Sequence, residues 1–145
     1  MSTKLKISFG LYLLNALILL AFGFRYFFAG ELMPYHAEIL GIARDGLTDA
    51  YSIIFTTLYR ATGAGMLAIA ATTVVLLVVP FRNGQPWSRW ALSGIGLLYA
   101  GLSLFLTLAL QAETTANIPW PGPAAAVVTL AVAHVLAGEL KAPSG

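Results

Sequence analysis

The sequence contains no cysteine and very little charge. Only 10% of its 145 residues are charged, whereas a soluble globular domain carries about 25%. The lack of cysteine excludes disulfides, thiolate metal sites and thiol redox chemistry on this chain. Because 59% of the residues are hydrophobic and the mean hydropathy is +0.82, a water-soluble fold would have too little polar surface. A lipid bilayer is the apolar solvent that this composition requires.

Signatures of common enzymes are absent as well. The chain has no HExxH, no Gly-x-Ser-x-Gly and no P-loop motif. Its net charge of +2 comes from scattered Lys and Arg residues rather than a basic patch, so nucleic acid is not an expected partner. The two histidines, His36 and His134, are predicted on opposite membrane faces. We therefore expect no metal site and no cofactor.

Four uncharged, apolar runs dominate the chain. They are Ile7–Phe24, Ala61–Phe81, Trp90–Leu110 and Pro123–Gly138. A membrane span needs about 20 apolar residues, and the first three runs reach or nearly reach that length with their flanks. None of the runs alternates polar and apolar residues as a membrane β-strand would. We predict an all-α, integral membrane four-helix bundle that forms a single transmembrane domain over residues 1–145. The predicted spans are roughly 5–29, 51–80, 88–111 and 120–138.

The first apolar run has two interpretations, a retained helix or a signal peptide. Ile7–Phe24 comprises 18 residues, beyond the roughly 7–15 of a signal-peptide core. No clear small-x-small cleavage site follows it. These features favour the retained helix.

Basic residues fall mainly on one side of the predicted bundle. That side carries Lys4, Lys6, Arg82, Arg89 and Lys141. Five of the acidic residues fall on the other side, at positions 31, 38, 45, 49 and 113, together with a single loop arginine at position 44. The positive-inside rule then predicts a multi-pass protein of the cell membrane with both termini in the cytoplasm.

The segment Glu31–Asp49 is too polar to span a membrane. It mixes apolar and charged residues, and Pro34, Gly41 and Gly46 interrupt it. We predict a short interfacial helix or cap over the outer end of the bundle, between the first and second spans. The alternative is a solvated loop whose apolar residues only touch the lipid headgroups.

Polar residues at the outer ends of the spans form the candidate site. At ~1.5 Å per residue, Arg25, Arg60 and Gln111 each come ~28–31 Å from the inner end of their helix. The hydrocarbon layer is itself ~30 Å thick, so the three residues should share one level. Glu113 is predicted to lie just outside that level, and Asp49 is predicted to lie over the same place. These five residues are the predicted ligand-binding or polar cluster.

The two arginines of this cluster have competing interpretations. In one, Arg25 and Arg60 snorkel to the outer headgroups. In the other, they face inward and pair with Glu113, Asp49 or a ligand anion. Apolar and aromatic residues flank Arg60 on both sides, so we expect its helix to continue and its guanidinium to be partly buried and paired.

Small and polar residues within the spans suggest how the helices pack. Four pairs of small residues recur at four-residue spacing: Ala61/Gly65, Ala64/Ala68, Gly96/Ala100 and Gly122/Ala126. Close packing within the bundle is the favoured use, and dimerisation the alternative. Asn15 is expected to bond across to another helix. The hydroxyls of Thr72, Thr73, Ser93, Ser103 and Thr107 can bond to their own helix backbones, and the sequence assigns them no role.

The segment Leu58–Ala68 resembles a pattern found in small four-helix bacterial membrane proteins, the DUF4345 family and the broader DoxX-like group. There, too, a first span, a Pro-containing outer loop and a Tyr-Arg-Ala-x-Gly start of the second span follow one another; here these are Pro34 and Tyr59–Gly63. The resemblance covers most of the chain and implies a fold more than an activity. It would make Arg60 the conspicuous polar residue. DoxX-like proteins are linked to redox or quinone-associated membrane complexes, but this chain lacks cysteine for thiol chemistry.

Three classes of function stay open. The first is a bundle whose outer pocket holds a small amphipathic or lipid-like anion, as a binding protein or an enzyme. The second is a non-catalytic accessory or scaffold subunit that packs against a larger membrane protein. A transporter or channel ranks last, because a pore needs polar residues along its whole length. The expected partners are membrane lipid and either a small amphipathic ligand or another membrane protein.

Overall fold

The computed structural model describes residues 1–140, and all regular structure in that range is helical. The helices are α1 (Thr3–Phe27), α2 (Pro34–Leu40), α3 (Asp49–Leu76), α4 (Trp87–Glu113) and α5 (Pro121–Leu136). A π-helical turn, Leu77–Phe81, extends α3, and a 3-10 turn, Ala137–Glu139, extends α5. With these extensions, α1, α3, α4 and α5 are long and apolar enough to cross a membrane. The chain is therefore a multi-pass membrane protein, and the predicted fold class is confirmed.

Local signals explain where several helices begin and end. Ser2 caps α1, because its Oγ accepts a hydrogen bond from the Leu5 N–H at 3.3 Å. Proline occupies the first turn of α2 and α5, where its missing N–H costs nothing. Gly41 ends α2 in the left-handed region, with φ of 64°. Lys141, one of the basic residues behind the orientation prediction, lies outside the described residues.

The first span lies at the centre of the bundle. α1 packs along α3 on one side and α5 on the other, and α4 packs mainly on α5. The two ends of the bundle differ in what they carry. We call the end with Ser2, Arg82 and Glu139 the terminal end, and the end with the segments 28–48 and 114–120 the cap end.

Each end has its own buried core. Near the terminal end, Tyr12, Leu77, Phe81 and Leu92 are almost wholly buried together. Under the cap end, a smaller core consists of Leu32, Met33, Ala37 and Tyr59. The short helix α2 between the first two spans therefore packs onto the bundle, as the cap interpretation predicted. Glu38 of α2 also accepts a hydrogen bond from the Asn117 N–H at 3.1 Å, which ties the cap to the α4–α5 loop.

Two glycines allow α1 and α3 to approach closely. A Cβ atom placed on Gly63 would lie 2.5 Å from the Phe27 backbone nitrogen and 2.7 Å from the Gly23 carbonyl oxygen. Both glycines are buried. Backbone-to-backbone contact of this kind is what holds helices together in lipid, where the hydrophobic effect does not.

Of the four predicted small-residue pairs, the two on α3 do not pack inside the bundle. Gly96 does pack inside the bundle, against Leu130, and Ala100 is buried. On α3 the prediction is wrong: the pairs Ala61/Gly65 and Ala64/Ala68 are exposed. The reason is geometric. Gly63 and Gly65 are two residues apart, so at 3.6 residues per turn they point to nearly opposite sides of the helix.

Candidate functional site

The cap end contains a cluster of aromatic hydroxyls around Tyr59 of α3. The Met33 N–H donates to the Tyr59 hydroxyl at 3.3 Å, and Nδ1 of His36 shares a hydrogen bond with it at 2.5 Å. The hydroxyls of Tyr26 and Tyr35 are 2.8 Å apart. These bonds connect α1, α2 and α3, so the cap is held in place by side chains from all three helices.

Burial favours the neutral forms of His36 and of Tyr35 in this cluster. Burial lowers the pKa of His36 below its ordinary value, because the imidazolium would lose hydration. Burial, and then its hydrogen bond with Tyr26, raises the pKa of Tyr35 well above the usual range. The cluster is thus a network of hydrogen-bonded side chains that joins the cap to the bundle.

A cavity of about 110 Å³ lies beside this cluster. One wall is a single face of α3, formed by Ser52, Phe55, Thr56 and Tyr59. Residues at positions i, i+3, i+4 and i+7 share one side of a helix, so two hydroxyls and two aromatic rings face the same space. The wall therefore offers both hydrogen bonding and apolar contact.

The rest of the cavity lining comes from the two loops that flank α2, which hydrogen bonds hold together. Arg44 Nε donates to the Leu32 carbonyl at 2.9 Å, and the Leu32 N–H donates to the Arg44 carbonyl at 3.0 Å. The Arg44 guanidinium also pairs with Glu31 at 3.0 Å. Asp45 and Leu47 complete this side. These bonds hold the two loops over α3 and place charges of both signs at the edge of the cavity.

The structure does not assemble the predicted polar cluster into one inward-facing site. Arg25, Arg60, Asp49 and Glu113 are all exposed on the surface of the bundle. Gln111 is half-buried, and both ends of its amide serve the α4–α5 loop. Its Nε2 donates to the Ala116 carbonyl, and its Oε1 accepts from the Ile118 N–H, each at 3.3 Å.

The prediction that Arg60 is buried and paired is wrong. Its side chain is exposed, and the ion pairs within residues 1–140 are Lys4–Glu139 and Arg44–Glu31. Asp49 begins the same helix as Arg60, so the two lie ~16 Å apart along its axis and cannot meet. Of the apolar residues before Arg60, Ile53, Ile54 and Leu58 are exposed and only Tyr59 is buried, so an apolar flank did not indicate a buried Arg60. Ligand binding by these residues stays a prediction.

A second polar network is buried near the terminal end. The Tyr12 hydroxyl lies 2.5 Å from Ser93 Oγ, which lies 2.8 Å from Nδ1 of His134. Tyr12 is fully buried and Ser93 is 4% exposed. The chain of bonds joins α1, α4 and α5. The sequence assigned Ser93 no role, whereas the structure places its hydroxyl at the crossing of three helices, between Tyr12 and His134.

Other polar side chains within the spans bond either to a neighbouring helix or to their own helix backbone. Asn15 donates to Thr129 of α5 at 3.0 Å, which confirms the expected bond across helices. Thr72 bonds to the Ala68 carbonyl of its own helix at 2.8 Å. Ser8 donates to the Ala133 carbonyl at 2.7 Å. No pattern of spacing in the sequence identifies Ser8, whose burial depends on how α1 and α5 meet.

The histidines do not combine into a metal site. His36 lies in the cap and His134 near the terminal end, where its ring packs edge-on against Trp90 at 4.7 Å. In the part of the chain that the structure describes, no three His, Asp or Glu side chains come together as a metal-binding group.

Comparison of this chain with protein-family models, with curated proteins and with solved structures found no match. The resemblance of Tyr59–Gly63 to the DUF4345 and DoxX-like pattern therefore stays a prediction. In the structure, Tyr59 of that motif lies in the cap core and Gly63 at the α1–α3 crossing, whereas Arg60 is exposed. Two of the motif's five residues thus serve packing here.

Proposed function

We propose that this membrane protein binds a small amphipathic molecule in the cap cavity. The observation that carries the proposal is the face of α3 on which Ser52 and Thr56 place hydroxyls beside the rings of Phe55 and Tyr59. Such a wall can hydrogen-bond a polar head and pack against the first carbons of an apolar tail. Concave sites with mostly apolar walls and a few placed polar groups are typical of small-molecule binding.

The size of the cavity limits what enters it. At about 110 Å³, it is smaller than the roughly 150 Å³ cavity that holds benzene in an engineered protein core. It is also well below the ~300–1,000 Å³ of pockets for drug-sized ligands. The cavity therefore accepts the polar head of an amphipathic molecule, while the tail extends into the surrounding lipid.

The charges at the edge of the cavity favour a neutral or cationic head. Glu31 and Asp45 are acidic and Arg44 is basic, so their net formal charge is −1. Arg44 is already paired with Glu31 at 3.0 Å. The lipid-like anion predicted from the sequence relied on Arg25 and Arg60, which are exposed. We therefore revise the proposed ligand from an anion to an amphipathic amine or alcohol.

A matched pair of threonines tests this proposal. Thr56 lines the cavity, whereas the adjacent Thr57 is exposed and bonds to the Ile53 carbonyl of its own helix. Thr56→Leu fills the cavity, so photolabelling by diazirine-bearing octylamine should fall several-fold in the peptide that spans residues 44–59. Thr57→Leu should leave the labelling unchanged, and labelled octanoate should react less than the amine. Equal labelling of the two variants, or stronger labelling by octanoate, would contradict the proposal.

A second candidate function is that of an accessory subunit in a larger membrane complex. It is favoured by the exposed face of α3 that carries Ala61, Ala64, Gly65 and Ala68. Small residues let another transmembrane helix approach closely. Co-purification of a second membrane protein from mild detergent, lost in Gly65→Leu, would support this function over ligand binding.

We also propose that the terminal end faces the cytoplasm of a cell membrane. Lys4, Lys6, Arg82 and Arg89 all lie at this end, which agrees with the positive-inside rule. Reporter fusions test the orientation. A fusion at Gly84 should read cytoplasmic and a fusion at Gly41 external. A cytoplasmic signal from Gly41 would overturn the orientation while leaving the helices themselves unaffected.

A further inference from the structure

The terminal end contains an open cavity of about 260 Å³ that differs in character from the cap cavity. It is lined by Met1, Lys6, Phe9 and Arg82. Two of these side chains are cations, the other two are apolar, and none is acidic. The cavity lies where α1 enters the bilayer, beside the turn that follows α3. A cavity lined by both cations and apolar side chains suits the head and upper tail of an anionic lipid.

The two cations of this cavity stand apart from the other basic residues of the same end. Lys4 pairs with Glu139 at 3.2 Å, and the Arg89 guanidinium lies over the Trp90 ring at 4.8 Å. Among the ion pairs that join residues 1–140, neither Lys6 nor Arg82 takes part. Two positive charges thus line one cavity without an acidic partner in the described chain, which favours an anionic ligand.

The π-helical turn at the end of α3 positions one of these cations. The Arg82 N–H donates to the Leu77 carbonyl five residues earlier, at 3.2 Å, and Pro80 lies within the turn. Phe81 of the same turn is buried and packs against Phe9 with ring centroids 6.1 Å apart. The turn thereby holds Arg82 next to α1, on which Lys6 and Phe9 lie. Single π-helical turns within α-helices are frequent at functional sites.

We propose that this cavity binds the phosphate group of an anionic membrane lipid. Lys6 and Arg82 contact the phosphate oxygens, with the planar guanidinium able to bind two of them at once. Phe9, which lines the cavity, contacts the upper part of the acyl chains. The site is independent of the cap cavity, which lies at the other end of the bundle and carries a net negative charge.

Native mass spectrometry of the full chain, with two lipids that share acyl chains, tests the proposal. The probes are phosphatidylglycerol, which is anionic, and phosphatidylcholine, which is zwitterionic. We expect phosphatidylglycerol to be retained preferentially. Lys6→Gln and Arg82→Gln should each weaken its retention about fivefold, the effect of one basic residue at an anionic membrane surface. Arg82→Lys should bind more weakly than wild type but better than Arg82→Gln, because the charge is kept while the planar guanidinium contact is lost.

Control variants separate a site from general attraction to a basic surface. Lys4→Gln and Arg89→Gln remove the same charge from the same end, but their side chains do not line the cavity. They should leave retention nearly unchanged. Equal losses in all four Gln variants, or equal retention of the two lipids, would overturn the proposal. Binding of inorganic phosphate as strong as that of phosphatidylglycerol would overturn the lipid as the source of the phosphate.

Discussion

Gly63→Ala is expected to destabilise the bundle by about 3 kcal/mol, the upper end of the usual cost of overpacking. The added Cβ would lie 2.5 Å from the Phe27 backbone nitrogen and 2.7 Å from the Gly23 carbonyl oxygen. Because both are backbone atoms, no rotamer change relieves the clash, and α1 and α3 must move apart. That separation would weaken the packing along the whole α1–α3 contact. Reversible unfolding in mixed micelles measures the loss.

Gly65→Ala on the same helix is the matched control for this prediction. A Cβ on Gly65 meets nothing within 4 Å, and the residue is exposed. Alanine is a better helix former than glycine by up to about 1 kcal/mol, so the variant should be neutral or slightly stabilising. If the two substitutions lowered stability equally, the close crossing at Gly63 would be wrong, and Gly65 would have a packing partner instead.

Ser93→Ala is expected to cost about 2 kcal/mol, within the range for leaving buried polar groups unpaired. The Ser93 hydroxyl bonds to both the Tyr12 hydroxyl, at 2.5 Å, and Nδ1 of His134, at 2.8 Å. Its removal leaves the buried Tyr12 hydroxyl and the half-buried His134 ring without this hydrogen-bond partner. Unfolding in mixed micelles at one pH, compared with wild type, measures the cost.

Two further variants test whether that cost comes from the network. Thr72→Ala removes a hydroxyl that bonds only to its own helix at an exposed position, so its effect should be within about 0.5 kcal/mol. Tyr12→Phe removes one member of the network, and its effect should not add to that of Ser93→Ala, because the two groups share one bond. Strict additivity would show that the two hydroxyls act separately.

The candidate site shows where reasoning from the sequence succeeded and where it did not. The cap was predicted because Glu31–Asp49 is too polar to span a membrane and mixes apolar with charged residues, with a solvated loop as the alternative. α2 and the core around Tyr59 agree with that prediction. The cavity wall was not predicted. Ser52 and Thr56 are ordinary residues at the start of a span, and only the position of Arg44 and its loop encloses the space above them.

The expected burial of Arg60 was wrong for a specific physical reason. Helical rise places Arg25, Arg60 and Gln111 at one depth, but depth does not say toward which side a residue points. Arg60 and Tyr59 are adjacent in sequence; one is exposed and the other is buried in the cap core. The 100° rotation between them separates a surface residue from a core residue.

The sequence by itself determined that this chain crosses a membrane as four helices. Apolar runs of this length in lipid must satisfy their own backbone hydrogen bonds, and a helix does so within one segment. Only the tertiary structure decided which face of each helix turns inward. In water, apolar residues mark the buried face, but in lipid both faces of a span are apolar and the pattern carries little information. Gly63 rather than Gly65 lies at a helix crossing because of how closely the neighbouring backbones approach. Ser93 rather than Thr72 bonds to another helix because of which hydroxyls meet at that approach.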